Sequence, residues 1–165
     1  MIEDGGTEDE AIAGLLHDAV EDGEGRKTLE EIRQQFGDGV ADIVWECSNT
    51  DAKPKPPWKE RKTRYVEHLR QADLSTRRVS CADKLHNARS ILFDFRTVGD
   101  ALWERFNVGR DEQLWYYRAL VKAFREAGGG RMVEELHRVV EEIARESGSD
   151  GAKPKGGSEV RETER

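Results

Sequence analysis

The sequence predicts an all-α fold, and three observations support this prediction. Apolar residues recur at helical spacing along most of the chain, whereas the strict alternation of a half-buried strand is nearly absent. Clusters of glycine and proline separate these periodic segments from one another. The chain has 165 residues, of which 36% are apolar, and these values fit one domain with one core. We therefore expect a single-domain helical bundle.

Two capping-box patterns predict where the first helices begin. Thr7 precedes Glu10 by three residues, and Thr28 precedes Glu31 by three. At this spacing, side chains and backbone amides at the start of a helix cap each other. An apolar stripe after the first pattern predicts one helix that ends at the Gly-Glu-Gly break over 23–25. The stripe consists of Ala11, Ile12, Leu15, Leu16 and Ala19.

Periodicity predicts further helices, one loop and a tail. Those helices are expected over 38–47, 58–72, 75–98, 111–127 and 131–146. The three prolines of 51–57 exclude a helix there, because proline lacks an amide donor and fixes φ. Residues 147–165 hold few apolar side chains, so burial cannot repay the entropy of ordering them. We expect a folded domain over 1–146 and a disordered tail over 147–165.

Charge and cysteine content exclude several classes of protein. The net charge of −7 argues against binding to nucleic acid polymers, which requires a basic surface. Cys47 and Cys81 lie among apolar neighbours, which predicts buried free thiols. No apolar run approaches the roughly 20 residues that span a bilayer. We therefore expect a cytoplasmic protein without membrane contact.

Two segments carry the residue types of a divalent-metal site. Residues 17–22 read His-Asp-Ala-Val-Glu-Asp, and residues 83–87 read Asp-Lys-Leu-His-Asn. One imidazole and two carboxylates are suitable ligands for a divalent ion. The additional carboxylates can accept a proton from an attacking water molecule. The pattern is typical of a metal-dependent hydrolase.

Each segment also has a purely structural interpretation. A His-Asp dipeptide is common, and Asp83 could pair with Arg77, Arg78 or Arg89 instead of a metal. The two acids of 21–22 could decorate the end of a helix, although acids there oppose the helix dipole. The metal-site interpretation is favoured because it explains both segments together.

These motifs resemble those of the HD-domain metal-dependent phosphohydrolases. The resemblance also rests on residues 28–32 (Thr-Leu-Glu-Glu-Ile), 36–37 (Phe-Gly) and 82–89 (Ala-Asp-Lys-Leu-His-Asn-Ala-Arg). It extends over nearly all of the predicted domain and is closest to the RelA/SpoT-type branch, whose members remove the 3′-pyrophosphate from (p)ppGpp. It implies an HD-domain-like helical bundle, a divalent ion (Mn²⁺ in this branch) and a phosphorylated nucleotide as substrate.

The resemblance implies roles for the residues of both motifs. His17, Asp18 and Asp83 would ligate the ion. Glu21 and Asp22 would position and deprotonate the attacking water molecule.

Other residues are candidates for contacts with the nucleotide. By the resemblance, Asn87 would contact the ribose or base side, and Tyr116 lies in a segment similar to the aromatic segment that closes over the nucleotide. Arg61, Lys62 and Arg64 could meet phosphates, although a solvated helix face is the simpler explanation for these charges.

One ligand of the family pattern has no counterpart in this sequence. The family places a fourth protein ligand, a histidine, on a helix upstream of the His-Asp motif, and residues 1–16 contain no histidine. We expect a shortened form of a longer protein that retains metal poorly. Two alternatives stay open: an HD phosphohydrolase for another nucleotide or phosphoester, and a degenerate HD domain that binds a nucleotide without turnover.

Overall fold

The computed structural model describes residues 1–48 and 56–149, and α-helices account for most of them. The α-helices are α1 (Glu8–Leu16), α2 (Ala19–Asp22), α3 (Arg26–Phe36), α4 (Asp38–Cys47), α5 (Trp58–Gln71), α6 (Leu74–Val98), α7 (Arg110–Glu126) and α8 (Arg131–Ser149). Short 3-10 helices span Ile2–Asp4 and Gly99–Arg105. The predicted all-α fold is confirmed. None of the helices in the described ranges is long and apolar enough to cross a membrane.

Two groups of buried apolar side chains form the core, and α6 contributes to both. The N-terminal cluster consists of Ala13, Val20, Ile32, Val40, Ala41, Ile43, Val44, Cys47 and Val79. The C-terminal cluster consists of Tyr65, Val66, Leu69, Cys81, Leu85, Ala88, Ile91, Leu92, Phe95, Leu102, Tyr116, Tyr117, Leu120, Val121, Ala123, Phe124, Met132, Val133, Leu136, Val140 and Ile143. Helix α6 packs against α1 and α4 on one side and against α8 on the other. Both cysteines are buried free thiols, as predicted.

The first capping box is confirmed and the second is wrong. The Thr7 side chain accepts a hydrogen bond from the Glu10 amide, and the Glu10 carboxylate accepts one from the Thr7 amide. Helix α3 begins at Arg26, two residues before the predicted capping residue. The Thr28 hydroxyl lies inside this helix and accepts a hydrogen bond from the Glu24 amide, so it closes the preceding turn instead.

The predicted first helix is interrupted at the His-Asp pair. Helix α1 ends at Leu16, and α2 begins at Ala19. The His17 side chain contacts the carbonyl oxygen of Gly14, which in a continuous helix would accept only from the amide of Asp18. Side-chain bonds of this kind compete with the helical ladder. The predicted burial of Leu15 is also wrong, because this side chain is 88% exposed.

The turn between α2 and α3 requires a glycine. A Cβ atom at Gly23 would lie 2.6 Å from the Thr28 hydroxyl oxygen and 2.7 Å from the Ala19 carbonyl oxygen. This close approach brings α3 back against the end of α2 and fixes the direction of the acidic segment.

The later helices lie close to their predicted bounds. Helix α6 begins at Leu74, and Asp73 caps it by accepting a bond from the Thr76 amide. Helix α8 continues to Ser149, three residues beyond the predicted domain boundary. Its last turn is supported because the Arg110 guanidinium donates to the Ser147 carbonyl oxygen at 2.8 Å. Residues 51–55 of the predicted loop and 150–165 of the predicted tail lie outside the described residues.

Candidate metal centre

The structure brings together the three residues that the sequence predicts as metal ligands. His17 and Asp18 lie in the turn between α1 and α2, whereas Asp83 projects from the first half of α6. His17 Nε2 lies 3.1 Å from Asp18 Oδ2 and 3.2 Å from Asp83 Oδ1. Residues more than sixty positions apart in sequence therefore meet at one imidazole nitrogen.

The His17 ring is oriented with one nitrogen directed at the two carboxylates. Its Nδ1 atom lies 2.9 Å from the Gly14 carbonyl oxygen, which can only accept, so Nδ1 carries the proton in the neutral ring. The lone pair of Nε2 then faces oxygen atoms that are also acceptors. In the neutral ring, the buried Nε2 atom therefore has no hydrogen-bond partner among the described residues. Only a cation, either a proton or a metal ion, can satisfy such a group of acceptors.

The close contact between His17 and the two carboxylates also shifts the pKa values of the site. The Asp83 carboxylate raises the pKa of His17 to about 8, against the opposing effect of burial. Burial by itself would raise the pKa of Asp83, but His17 and Lys84 hold this pKa well below its usual range. For Asp18, burial raises the pKa, and the neighbouring charges of Asp83 and Glu21 act in the same direction.

Asp83 is held by contacts within its own helix. Its Oδ1 atom accepts a hydrogen bond of 2.7 Å from the Asn87 side-chain amide, and its Oδ2 atom pairs with the Lys84 ammonium group. The Lys84 ammonium also lies 5.7 Å from the centre of the Tyr65 ring. The Asp83 side chain is only 9% exposed. Sequence reasoning missed Lys84, although its position next to a half-buried acid was a usable signal.

The imidazole and the two carboxylates are groups that bind divalent ions, but their present arrangement is not that of a complete metal site. Within residues 1–48 and 56–149, no three His, Cys, Asp or Glu side chains are arranged as a complete metal site. The contacts of Asp83 explain this, since Lys84, Asn87 and His17 occupy its oxygen atoms. The unsatisfied Nε2 atom between two carboxylates is the feature that fits an ion.

The other predicted residues surround this centre at different depths. Glu21 is half-buried on α2, and its charge acts on Asp18 and on Tyr116. Asp22 is exposed at the end of α2. Tyr116, on α7, is buried in the C-terminal cluster, and its hydroxyl group has no hydrogen-bond partner among the described residues. Burial raises the pKa of this hydroxyl group, so it remains a donor.

Two further histidines and one cavity lie outside this constellation. His86 is exposed, and His68 pairs with Glu46 at 3.1 Å. A cavity of about 260 Å³ near the start of α8 is lined by none of the predicted site residues. The unsatisfied imidazole nitrogen is therefore the better guide to the site.

The fold and the site define an α-helical domain in which a His-Asp pair meets a distant aspartate. Comparison with known proteins gives the family. Residues 1–102 match the family model described as HD domain, and the chain belongs to this family.

Two curated relatives and one solved structure illustrate the similarity. The chain is 40% identical over 90 residues to the guanosine-3′,5′-bis(diphosphate) 3′-pyrophosphohydrolase MESH1 of Xenopus tropicalis, which covers 53% of this chain and 48% of that protein. It is 40% identical over 79 residues to the MESH1 protein of Danio rerio, covering 48% of this chain and 41% of that one. The crystal structure of lmo0812 from Listeria monocytogenes EGD-e superposes with a TM-score of 0.75 at 34% identity, over 87% of this chain and 92% of that one. The chain spans less than half the length of the two curated relatives.

Proposed function

We propose that this protein is a metal-dependent phosphohydrolase that removes a 3′-pyrophosphate group from a nucleotide of the (p)ppGpp type. The buried, unsatisfied Nε2 atom of His17 between two carboxylates carries the proposal, because this arrangement needs a cation. Similarity to two 3′-pyrophosphohydrolases supports the choice of substrate.

His17, Asp18 and Asp83 would hold the divalent ion, for which we propose Mn²⁺. When bound, such an ion lowers the pKa of water and screens charge that develops on phosphorus. The proton on His17 Nδ1 is retained by the Gly14 carbonyl oxygen, which fixes the ring orientation. Asn87 and Lys84 hold the Asp83 carboxylate in place from its own helix.

The acids of α2 supply the proton acceptor in this proposal. Glu21, whose charge acts on Asp18, would take the proton of the attacking water molecule. Asp22, exposed beside it, would orient that water molecule. The Asn87 side chain and the hydroxyl group of Tyr116, which has no partner among the described residues, would contact the nucleotide.

A nucleotide panel tests this proposal. The protein is incubated with Mn²⁺ and a guanosine nucleotide carrying a 3′-diphosphate, and released pyrophosphate is measured. We expect release that falls by at least about 1000-fold in Asp18→Ala, because a direct ligand of the ion is lost.

The matched control is Asp9→Ala, which removes an exposed carboxylate from α1 and should leave the rate unchanged. Release of single phosphates from simple monoesters, with no pyrophosphate, would favour a different phosphohydrolase. Nucleotide binding without any product would favour a non-catalytic HD domain. Equal pyrophosphate release by Asp18→Ala and the wild type would reject the proposal.

A further inference from the structure

A cationic side chain with no acidic partner among the described residues lies beside the candidate metal centre. Lys62, on α5, is half-buried, and its Nζ atom lies 4.8 Å from the centre of the Tyr116 ring. No carboxylate among the described residues forms an ion pair with it. Burial and the like charges of Lys84 and Arg61 lower its pKa to about 8, whereas Glu21 and Asp83 act in the opposite direction. The fold therefore keeps a cation where its charge is costly.

The Tyr116 side chain presents a second unsatisfied group on the same side. Its hydroxyl group is buried and unpaired within the described residues. The charges of Asp83, Glu21 and Arg61 all act on it, so it lies within electrostatic range of the metal centre. An unpartnered donor and an unpartnered cation thus adjoin one another on α7 and α5. Oxygen atoms of an anion would satisfy both.

The charge balance of the centre indicates why a further cation is needed. The two motifs contribute the carboxylates of Asp18, Glu21, Asp22 and Asp83 to this centre. Lys62 and Arg61 supply positive charge on the side where α5 meets α7, which favours an anion there. The Arg61 guanidinium is fixed at the start of α5 because it donates to the Pro56 carbonyl oxygen at 3.1 Å.

We propose that Lys62, together with the Tyr116 hydroxyl group, binds the phosphate group next to the one that is attacked, and so selects ligands carrying a diphosphate over those carrying a single phosphate. This inference rests on the proposed function, since it assigns the outer phosphate of that substrate. In this assignment one phosphate of a diphosphate lies at the metal centre and the other at Lys62, whereas a single phosphate fills only one of the two positions. The contact between Lys62 and the Tyr116 ring keeps the ammonium group in place before the ligand arrives.

Binding of inorganic pyrophosphate to the protein loaded with Mn²⁺, measured by calorimetry, tests the inference without requiring hydrolysis. Loss of one charge-assisted contact in Lys62→Met should weaken pyrophosphate binding at least about 10-fold. Orthophosphate binding should change much less. In hydrolysis assays with Mn²⁺, Lys62→Met should have a higher KM for the 3′-diphosphate nucleotide than the wild type and a nearly unchanged kcat.

Lys59→Met is the matched control. Lys59 lies one turn earlier on α5, is exposed, and also contacts an aromatic ring, with Nζ 3.0 Å from the Trp115 ring centre. Its loss should change pyrophosphate affinity by less than about 2-fold, as for other exposed charges. Thermal unfolding of both variants verifies that each is folded.

The outcomes separate this inference from the proposed function. Pyrophosphate affinity that is equal in Lys62→Met and the wild type, or an equal loss in Lys59→Met, would overturn the inference. Absence of pyrophosphate binding to the wild type would overturn it as well. Pyrophosphate binding that depends on Lys62, without hydrolysis of any nucleotide, would support the inference and reject the proposed reaction.

Discussion

The N-terminal and C-terminal clusters differ in size and in what they contribute to the candidate site. The smaller N-terminal cluster supports the turn with His17 and Asp18, whereas the larger C-terminal cluster supports Tyr116. Helix α6 joins the clusters, because it contributes Val79 to the N-terminal one and Cys81 and Leu85, which flank Asp83, to the C-terminal one. The turn with His17 and the helix with Asp83 therefore rest on separate cores, and their alignment depends on how α6 packs.

Removing the charge of Asp83 is expected to have the largest effect, because this residue is the proposed metal ligand from α6. Asp83→Asn keeps the shape of the side chain but cannot serve as an anionic ligand. The loss of Mn²⁺ affinity should exceed the ~10- to 100-fold typical of changes outside the ligand set. Metal content after dialysis and equilibrium titration with Mn²⁺ measure this loss.

Asp94→Asn is the matched control for that experiment. Asp94 lies on the same helix, is 43% exposed and pairs with Arg105 at 3.3 Å. Its substitution should leave metal content unchanged. An equal loss of Mn²⁺ in both variants would mean that α6 as a whole, and not the Asp83 carboxylate, determines binding.

Breaking the ion pair between α1 and α6 is expected to have the next largest effect, a loss of stability. Glu10 is 1% exposed, and both of its carboxylate oxygens accept from Arg78 Nη1, at 2.6 Å and 2.7 Å. Glu10→Ala should lower the free energy of unfolding by about 3 kcal/mol, since it leaves a largely buried guanidinium unpaired. Urea denaturation measures the change.

The control for Glu10 is Glu134→Ala, which breaks a pair with Arg125 on the surface and should have little effect. If both variants unfold at the same urea concentration as the wild type, the N-terminal cluster is not attached through Glu10.

The ion pair between Glu10 and Arg78 also predicts that the stability of the fold depends on pH. Burial acts to raise the pKa of Glu10, but bonds from Arg78, Ser75 and Thr7 outweigh it, so the pKa falls below its ordinary value of 4.5. Its contribution to stability is therefore complete above pH 4.5 and is lost as pH falls through the lowered folded pKa. The stability difference between the wild type and Glu10→Gln should narrow steadily below pH 4.5. A difference that stays constant down to unfolding would contradict this account.

The smallest effect is expected at Leu15, the exposed member of the predicted stripe. Leu15→Gln should change the free energy of unfolding by less than about 0.5 kcal/mol, as is usual for surface substitutions. Val20→Ala, in the N-terminal cluster, should cost more because it leaves a cavity. Thermal unfolding compares the two. A large loss of unfolding free energy in Leu15→Gln would show that another surface covers this face of α1.

Much of the fold could be predicted because the helices depend on local signals. Apolar spacing, the first capping box and the glycine at the end of α6 act within a few residues, and the predicted bounds of the later helices lie close to the observed ones. The break at His17 could not be predicted, because it depends on an imidazole contact with a backbone carbonyl oxygen. The spacing of Leu15 gave no information on whether a partner surface covers it.

The candidate site was predictable in its residue types and not in its electrostatics. Two short motifs indicated His17, Asp18 and Asp83, and the structure brings them together. From the sequence, a solvated helix face is the simpler explanation for the charge of Lys62. The contact of Lys62 with Tyr116 arises from the packing of α5 against α7, which no local pattern records.

Anomalous diffraction from crystals soaked in millimolar Mn²⁺ tests the central claim most directly. The account predicts one strong manganese peak within about 2.0–2.2 Å of His17 Nε2 and of carboxylate oxygens from Asp18 and Asp83. The Lys84 ammonium group should then still pair with the other carboxylate oxygen of Asp83, Oδ2. Manganese bound only at other carboxylates, with Nε2 still facing Asp18 and Asp83 directly, would contradict the claim that these three residues form a metal centre.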